Sequence, residues 1–151
     1  MQIAKLILTG ARPPAIYRLN TRAKPNVVLD GLGDAGWRHY YLDGHKIYDK
    51  PSFLKESARV MHFPDYFGQN WDAFEECIRD LPPANGYVLL YDQVDQFAIK
   101  EPEEWQMALD ILSSAVAFWR KTDTPLYILF RNTGRWAARL PLMGSVGQSG
   151  Q

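Results

Sequence analysis

The sequence has little cysteine and histidine, no long apolar run and no excess of either charge. Cys77 is the single cysteine among 151 residues, which excludes an internal disulfide framework and zinc sites of the CxxC type. No stretch approaches the ~18 apolar residues of a membrane-spanning helix. The apolar run near the amino terminus, Leu6 to Leu8, is too short for a signal peptide. We therefore expect a reduced, cytoplasmic protein without a membrane partner.

The charges balance overall but are segregated along the chain. Seventeen Lys and Arg residues against seventeen Asp and Glu residues disfavour direct binding of nucleic acid through a large positive surface. All seventeen acidic residues lie within residues 30–123 against nine basic ones, a net charge of −8, whereas the preceding and following segments carry +5 and +3. We therefore expect a partner of the central segment to be cationic.

Apolar patterning predicts an α/β fold with a small, three-stranded, mainly parallel sheet packed with helices. Nearly unbroken apolar runs predict buried strands at residues 87–91 and 125–130, and an aromatic run predicts another at 37–42. Between them, helices are predicted after Asp49, from Asn70 to Leu81, and from about Pro102 to Trp119. Strands joined by such helical crossovers pair in parallel.

We divide the chain into an N-terminal extension with a short strand or helix (1–36), a domain holding the sheet (37–133) and a basic tail (134–151). The tail is predicted to be disordered because it ends in Gly, Ser and Gln. Within the extension, Gly31-x-Gly33-x-x-Gly36 matches a dinucleotide-binding pattern. A strand rather than a helix is predicted to follow it, so we interpret it as a helix end and a turn.

The helix predicted after Asn70 has one apolar and one acidic face. At 100° per residue the apolar face centres on Phe74 and Ile78. The opposite face carries Asp72, Glu75, Glu76, Arg79 and Asp80. It is either a solvated face, whose first acids favour the helix dipole, or a surface for a cationic partner in which Asp72 and Glu76 bind arginines in bidentate fashion.

Three aromatic residues flank this acidic face. Tyr66, Phe67 and Trp71 are either core residues or a contact patch, and the loop position of Tyr66 favours the surface. The enzymatic alternative uses Asp72 and Glu76 as an acid–base pair. Such a pair needs burial to separate its pKa values, and this face is predicted to be exposed. We predict no catalytic residue, metal or cofactor.

A family resemblance rests on the loop and helix around Asn70. The residues that carry it are Leu42-Asp-Gly44, Pro64-x-Tyr-Phe-Gly68-x-Asn70-Trp-Asp72-Ala73, Cys77, Asp80-Leu81 and the run Tyr87 to Tyr91. Over roughly residues 37–131 the sequence resembles the barstar family. The resemblance implies a three-stranded parallel sheet and an intracellular inhibitor that inserts its loop and helix into the cationic active site of a ribonuclease or related nuclease toxin.

The resemblance also assigns roles to individual residues. It implies that Glu76 takes the place of a substrate phosphate. Contact positions implied by the family fall on Tyr66, Phe67, Asn70 and Asp72, and Glu75 stands where the family has a tryptophan. The alternative is a module of the same fold whose partner is not a nuclease and is held through the N-terminal extension.

Overall fold

A parallel sheet runs through the centre of the computed structural model, which describes residues 3–64 and 69–144. Six α-helices and four strands form the described part of the chain. In chain order they are α1 (Ile3–Leu8), β1 (Ile16–Leu19), α2 (Pro25–Val28), β2 (Arg38–Asp43), α3 (Lys50–Met61), α4 (Trp71–Ile78), β3 (Tyr87–Asp92), α5 (Val94–Lys100), α6 (Pro102–Arg120) and β4 (Leu126–Arg131).

The sheet has four strands in the order β1-β4-β3-β2, and every pairing is parallel. The predicted α/β class and parallel sheet are confirmed, but the prediction of three strands is wrong. The fourth strand, β1, comes from the extension and pairs with β4 from Ile16 opposite Ile128. It is four residues long and contains Arg18, so its sequence signal is weak, and its pairing with a strand more than 100 residues away leaves no local signal.

Helices α3 to α6 cover one face of the sheet, which we call the first face. Alternate strand residues point towards them, among them Leu42, Leu89 and Phe130. Phe53 of α3 lies at the centre of an aromatic group, and its ring centroid is 5.2–6.0 Å from those of Trp71, Phe74, Tyr91 and Phe97. This aromatic group places α4 firmly against the sheet.

The intervening strand residues form the second face, and the N-terminal extension covers it. These residues are Val88, Leu90, Tyr127 and Leu129. They pack against Ala4, Leu6 and Ile7 of α1, Val28 of α2, Leu29, Leu32 and Met143. The unbroken apolar runs of β3 and β4 reflect burial on both faces.

The C-terminal segment closes the outer edge of β1. The Arg18 N–H donates to the carbonyl oxygen of Pro141 at 2.8 Å, and the Met143 N–H donates to that of Arg18 at 2.9 Å. Ala137 and Met143 are buried. Disorder from residue 134 is therefore wrong for residues 134–144, because they protect an edge strand. Residues 145–151 lie outside the described part of the chain.

A buried ion pair joins the extension to the carboxyl ends of β3 and β4. Arg131 Nε and Nη2 donate to the Asp92 carboxylate at 2.7 and 2.8 Å, and Arg131 Nη1 donates to the Ala23 carbonyl oxygen at 2.6 Å. The Tyr41 hydroxyl donates to Asp92 Oδ2 at 2.8 Å. Burial, followed by this hydrogen bond, raises the Tyr41 pKa. Each charge of the buried pair is hydrogen-bonded, and removal of one partner would leave an uncompensated buried charge, which is costly.

The glycine-rich segment before β2 is a turn. A short 3-10 helix, Gly33–Ala35, is followed by Gly36 at φ 80° and then by β2. A dinucleotide-binding pattern needs a helix that begins at these glycines, and here a strand follows instead. Gly44, at the other end of β2, is required by close packing, because a Cβ there would collide with the Asp92 carbonyl oxygen.

Candidate acidic interface

Helix α4 presents the predicted site and begins with a side-chain cap. The Asn70 side chain accepts the Ala73 N–H at 2.8 Å, as predicted for an N-cap. The helix ends at Ile78 rather than at Leu81, whose side chain is buried beyond the helix. The cap and the apolar residues fix which side of α4 faces outwards.

Trp71 is a core residue. It is 8% exposed, and its ring contacts Phe53 and Phe74 with centroid distances of 5.7 and 6.2 Å. Its indole N–H donates to Glu104 Oε1 of α6 at 3.3 Å. The sequence left open whether Trp71 is a core residue or part of a contact patch. The structure places it in the core, because the first turn of α4 lies against α3 and α6. Trp71 therefore positions the helix and offers little surface to a partner.

Three carboxylates of the acidic face are exposed. Asp72 and Glu76 lie one turn apart on α4, and Asp80 follows the helix. Among residues 3–64 and 69–144, these three carboxylates have no ion-pair partner. Burial and then the charges of Glu76 and Asp80 raise the pKa of the Cys77 thiol. The negative charge is therefore available to a partner.

Glu75 and Arg79 are half-buried, although the sequence predicted an exposed face for both. Arg79 Nη2 donates to Glu75 Oε2 at 3.0 Å and to Ser114 Oγ of α6 at 2.7 Å. The Arg79 Cζ lies 5.3 Å from the centroid of the Phe118 ring. Helix α6 runs beside this part of α4, so the two residues contact a neighbouring helix and are only partly open to solvent. They connect the acidic face to α6.

Sequence reasoning missed Ser114 and Phe118. Phe118 lies off the apolar side of α6 and is 38% exposed. A large aromatic residue outside the apolar face of a helix was the available signal. Nothing in the sequence indicates that it meets α4, because 39 positions separate Arg79 from Phe118.

Tyr66 and Phe67, the predicted loop contacts, lie outside the described residues, so their role stays a prediction. Beside them in sequence, a groove of about 590 Å³ borders the carboxyl end of α4. Its lining includes Glu76, Cys77, Asp80 and Pro83. Two of the three exposed carboxylates, those of Glu76 and Asp80, therefore line a depression.

No three His, Cys, Asp or Glu side chains in residues 3–64 and 69–144 are grouped as a metal ion requires. Within the same part of the chain, every helix is too short or too polar to cross a membrane.

Comparison with known families assigns the domain that carries α4. The family model described as Barstar (barnase inhibitor) matches residues 37–131. This chain belongs to the barstar family. A search of curated proteins found no match. The barstar-family match runs from the residue before β2 to the last residue of β4, and it contains Asn70, Asp72, Glu76, Arg79 and Phe118.

Proposed function

We propose that this barstar-family protein inhibits a basic ribonuclease or related nuclease toxin by covering its active site with α4 and the loop before it. The observation that carries the proposal is the row of exposed carboxylates of Asp72, Glu76 and Asp80, which have no ion-pair partner in the described chain. Membership of a family of barnase inhibitors supports inhibition rather than catalysis.

The chemistry of the target explains this arrangement. A ribonuclease binds phosphates through cationic side chains, and a carboxylate on a rigid helix accepts the same charge-assisted hydrogen bonds. In the proposed complex, Glu76 occupies a phosphate position and Asp72 binds a second cation one turn away. Asn70 and Trp71 fix the helix, and Tyr66 and Phe67 contact the rim. The net charge of −8 in residues 30–123 accelerates encounter with a basic partner.

Inhibition of RNA cleavage tests the proposal. The full chain is titrated into a panel of basic ribonucleases that includes barnase, with a fluorogenic oligoribonucleotide as substrate. We expect stoichiometric loss of cleavage for at least one enzyme. The variant Asp72→Lys/Glu76→Lys should weaken inhibition by at least about 100-fold, since it places two cations against a cationic site.

A matched control separates the effect of the α4 carboxylates from the effect of net charge. Asp30 and Asp34 are exposed carboxylates near α2, on the other side of the sheet, so Asp30→Lys/Asp34→Lys makes the same change in charge away from α4. This control should inhibit like wild type apart from a small change in association rate. Equal loss in both double variants, or unimpaired cleavage by every enzyme with wild type, would contradict the proposal. Circular dichroism confirms that each variant is folded.

A further inference from the structure

We infer that Arg79 and Phe118 form a specificity patch that binds an acidic side chain lying next to an apolar one on the inhibited ribonuclease. This inference rests on the proposed function and names chemistry that the partner must have. The patch adjoins the acidic carboxylates of α4 but has the opposite charge. A partner that fits both the carboxylates and the patch must therefore have a surface that is basic opposite α4 and acidic a short distance away, opposite Arg79.

The guanidinium of Arg79 is held in one position before any partner arrives. Glu75 and Ser114 both accept hydrogen bonds from Nη2, and the Phe118 ring lies against Cζ. The side chains of Glu75 and Arg79 are each 37% exposed, so the cation can still be reached. A side chain fixed in advance loses little conformational entropy on binding.

The nitrogen atoms of Arg79 have different surroundings. Nη2 is occupied, and Nε is buried and has no hydrogen-bond partner among residues 3–64 and 69–144. Nη1 makes no hydrogen bond with the described residues, and the side chain is 37% exposed, so Nη1 can donate to a partner carboxylate. Leaving Nε unpaired costs free energy in the isolated protein, a cost that a fully solvated arginine avoids.

Phe118 supplies the apolar half of the patch. Its ring is 38% exposed beside the guanidinium, and aromatic residues and arginine are the residue types enriched where protein interfaces are most tightly bound. An apolar partner group on this ring excludes water and strengthens the neighbouring ion pair. A ribonuclease with a cation at this position meets repulsion from Arg79, so the patch also excludes wrong targets.

Charge variants at position 79 test the sign of the partner group. Inhibition constants are measured with the panel ribonuclease that wild type inhibits most tightly. We expect Arg79→Gln and Phe118→Ala each to weaken inhibition about 10-fold, and Arg79→Glu to weaken it about 100-fold because repulsion replaces attraction. Arg79→Lys should restore part of the loss, since it keeps the charge without the planar fork.

Ser114→Ala tests how much the positioning of Arg79 contributes. It removes one of the hydrogen bonds that hold the guanidinium and leaves the charge, so inhibition should weaken, but by less than with Arg79→Gln. Unchanged or tighter inhibition by Arg79→Glu would overturn the inference. If Asp72→Lys/Glu76→Lys abolishes inhibition in that case, the proposed function stands and only the patch is refuted. Failure of wild type to inhibit any enzyme refutes both.

Discussion

The two faces of the sheet are equally buried but are covered by different parts of the chain. Leu89 and Leu90 are neighbours in β3, point to opposite faces and are 1% and 0% exposed. Helices inside the barstar-family match cover the first face, and the extension covers the second with help from Met143. The region matched by the family therefore supplies only part of the buried core of this protein.

The two faces also differ in the use of charge. The exposed carboxylates of α4 lie on the side of the first face. By contrast, Arg12 and Arg18 of the basic extension donate to the carbonyl oxygens of Leu142 and Leu140 at 3.1 and 2.8 Å. These cations hold the C-terminal segment in place. Binding is thus proposed for one side of the sheet, while the extension on the other serves stability.

Deletion of residues 1–36 should have the largest effect, because it removes β1 and uncovers the second face. The apolar side chains of Val88, Leu90, Tyr127 and Leu129 become exposed, and β4 becomes an edge strand. We expect the remaining chain to aggregate or to lose cooperative unfolding, as measured by circular dichroism and gel filtration. A monomeric fragment with a sharp thermal transition would show instead that the extension is dispensable.

This expectation affects the alternative of a non-nuclease partner held by the extension. Loss of binding after deletion would not support that alternative, because the fold itself is expected to fail. Substitution of exposed residues in the extension, such as Lys5, leaves the core intact and tests it more directly.

A pair of neighbouring substitutions compares the faces quantitatively. Leu89→Ala and Leu90→Ala remove the same atoms from opposite faces of one strand, and each should lower the free energy of unfolding by about 2–5 kcal/mol. Urea denaturation of the full chain measures both. If Leu90→Ala costs less than about 1 kcal/mol while Leu89→Ala stays within the expected range, the extension is packed loosely and the two faces are not equivalent.

The sequence predicts burial better than it predicts the covering partner. The unbroken apolar runs of β3 and β4 indicate that both faces are covered. They cannot indicate that α1 does the covering, since a short helix near the amino terminus carries no signal of which strands it meets. The ion pair between Asp92 and Arg131 could not be predicted either, because local sequence does not show which strands are neighbours. Their contact depends on the register of two parallel strands.

The candidate site shows the same limit. The helical period placed Asp72 and Glu76 on an outward face and identified Asn70 as a cap, both from local spacing. It could not show that α6 lies beside Glu75 and Arg79. This packing half-buries the two residues and places Phe118 against the Arg79 guanidinium. Helix periodicity describes one helix at a time, whereas a binding surface between two helices depends on how they pack.

The smallest expected effect is on the reactivity of Cys77, which reports the charge of the neighbouring carboxylates. It can be measured without a partner protein. Burial and then the charges of Glu76 and Asp80 raise the pKa of the Cys77 thiol. Carboxylates disfavour the thiolate, so Glu76→Gln/Asp80→Asn should lower this pKa and increase the thiolate fraction at pH 8. Alkylation of Cys77 by iodoacetamide should then be faster, with its pH profile moved to lower pH.

Asp72→Asn, which removes a carboxylate that does not raise this pKa, is the matched control and should leave the profile in place. Identical profiles for wild type and Glu76→Gln/Asp80→Asn would mean that solvent screens these carboxylates from the thiol, and the attraction proposed for a cationic partner would be correspondingly weaker.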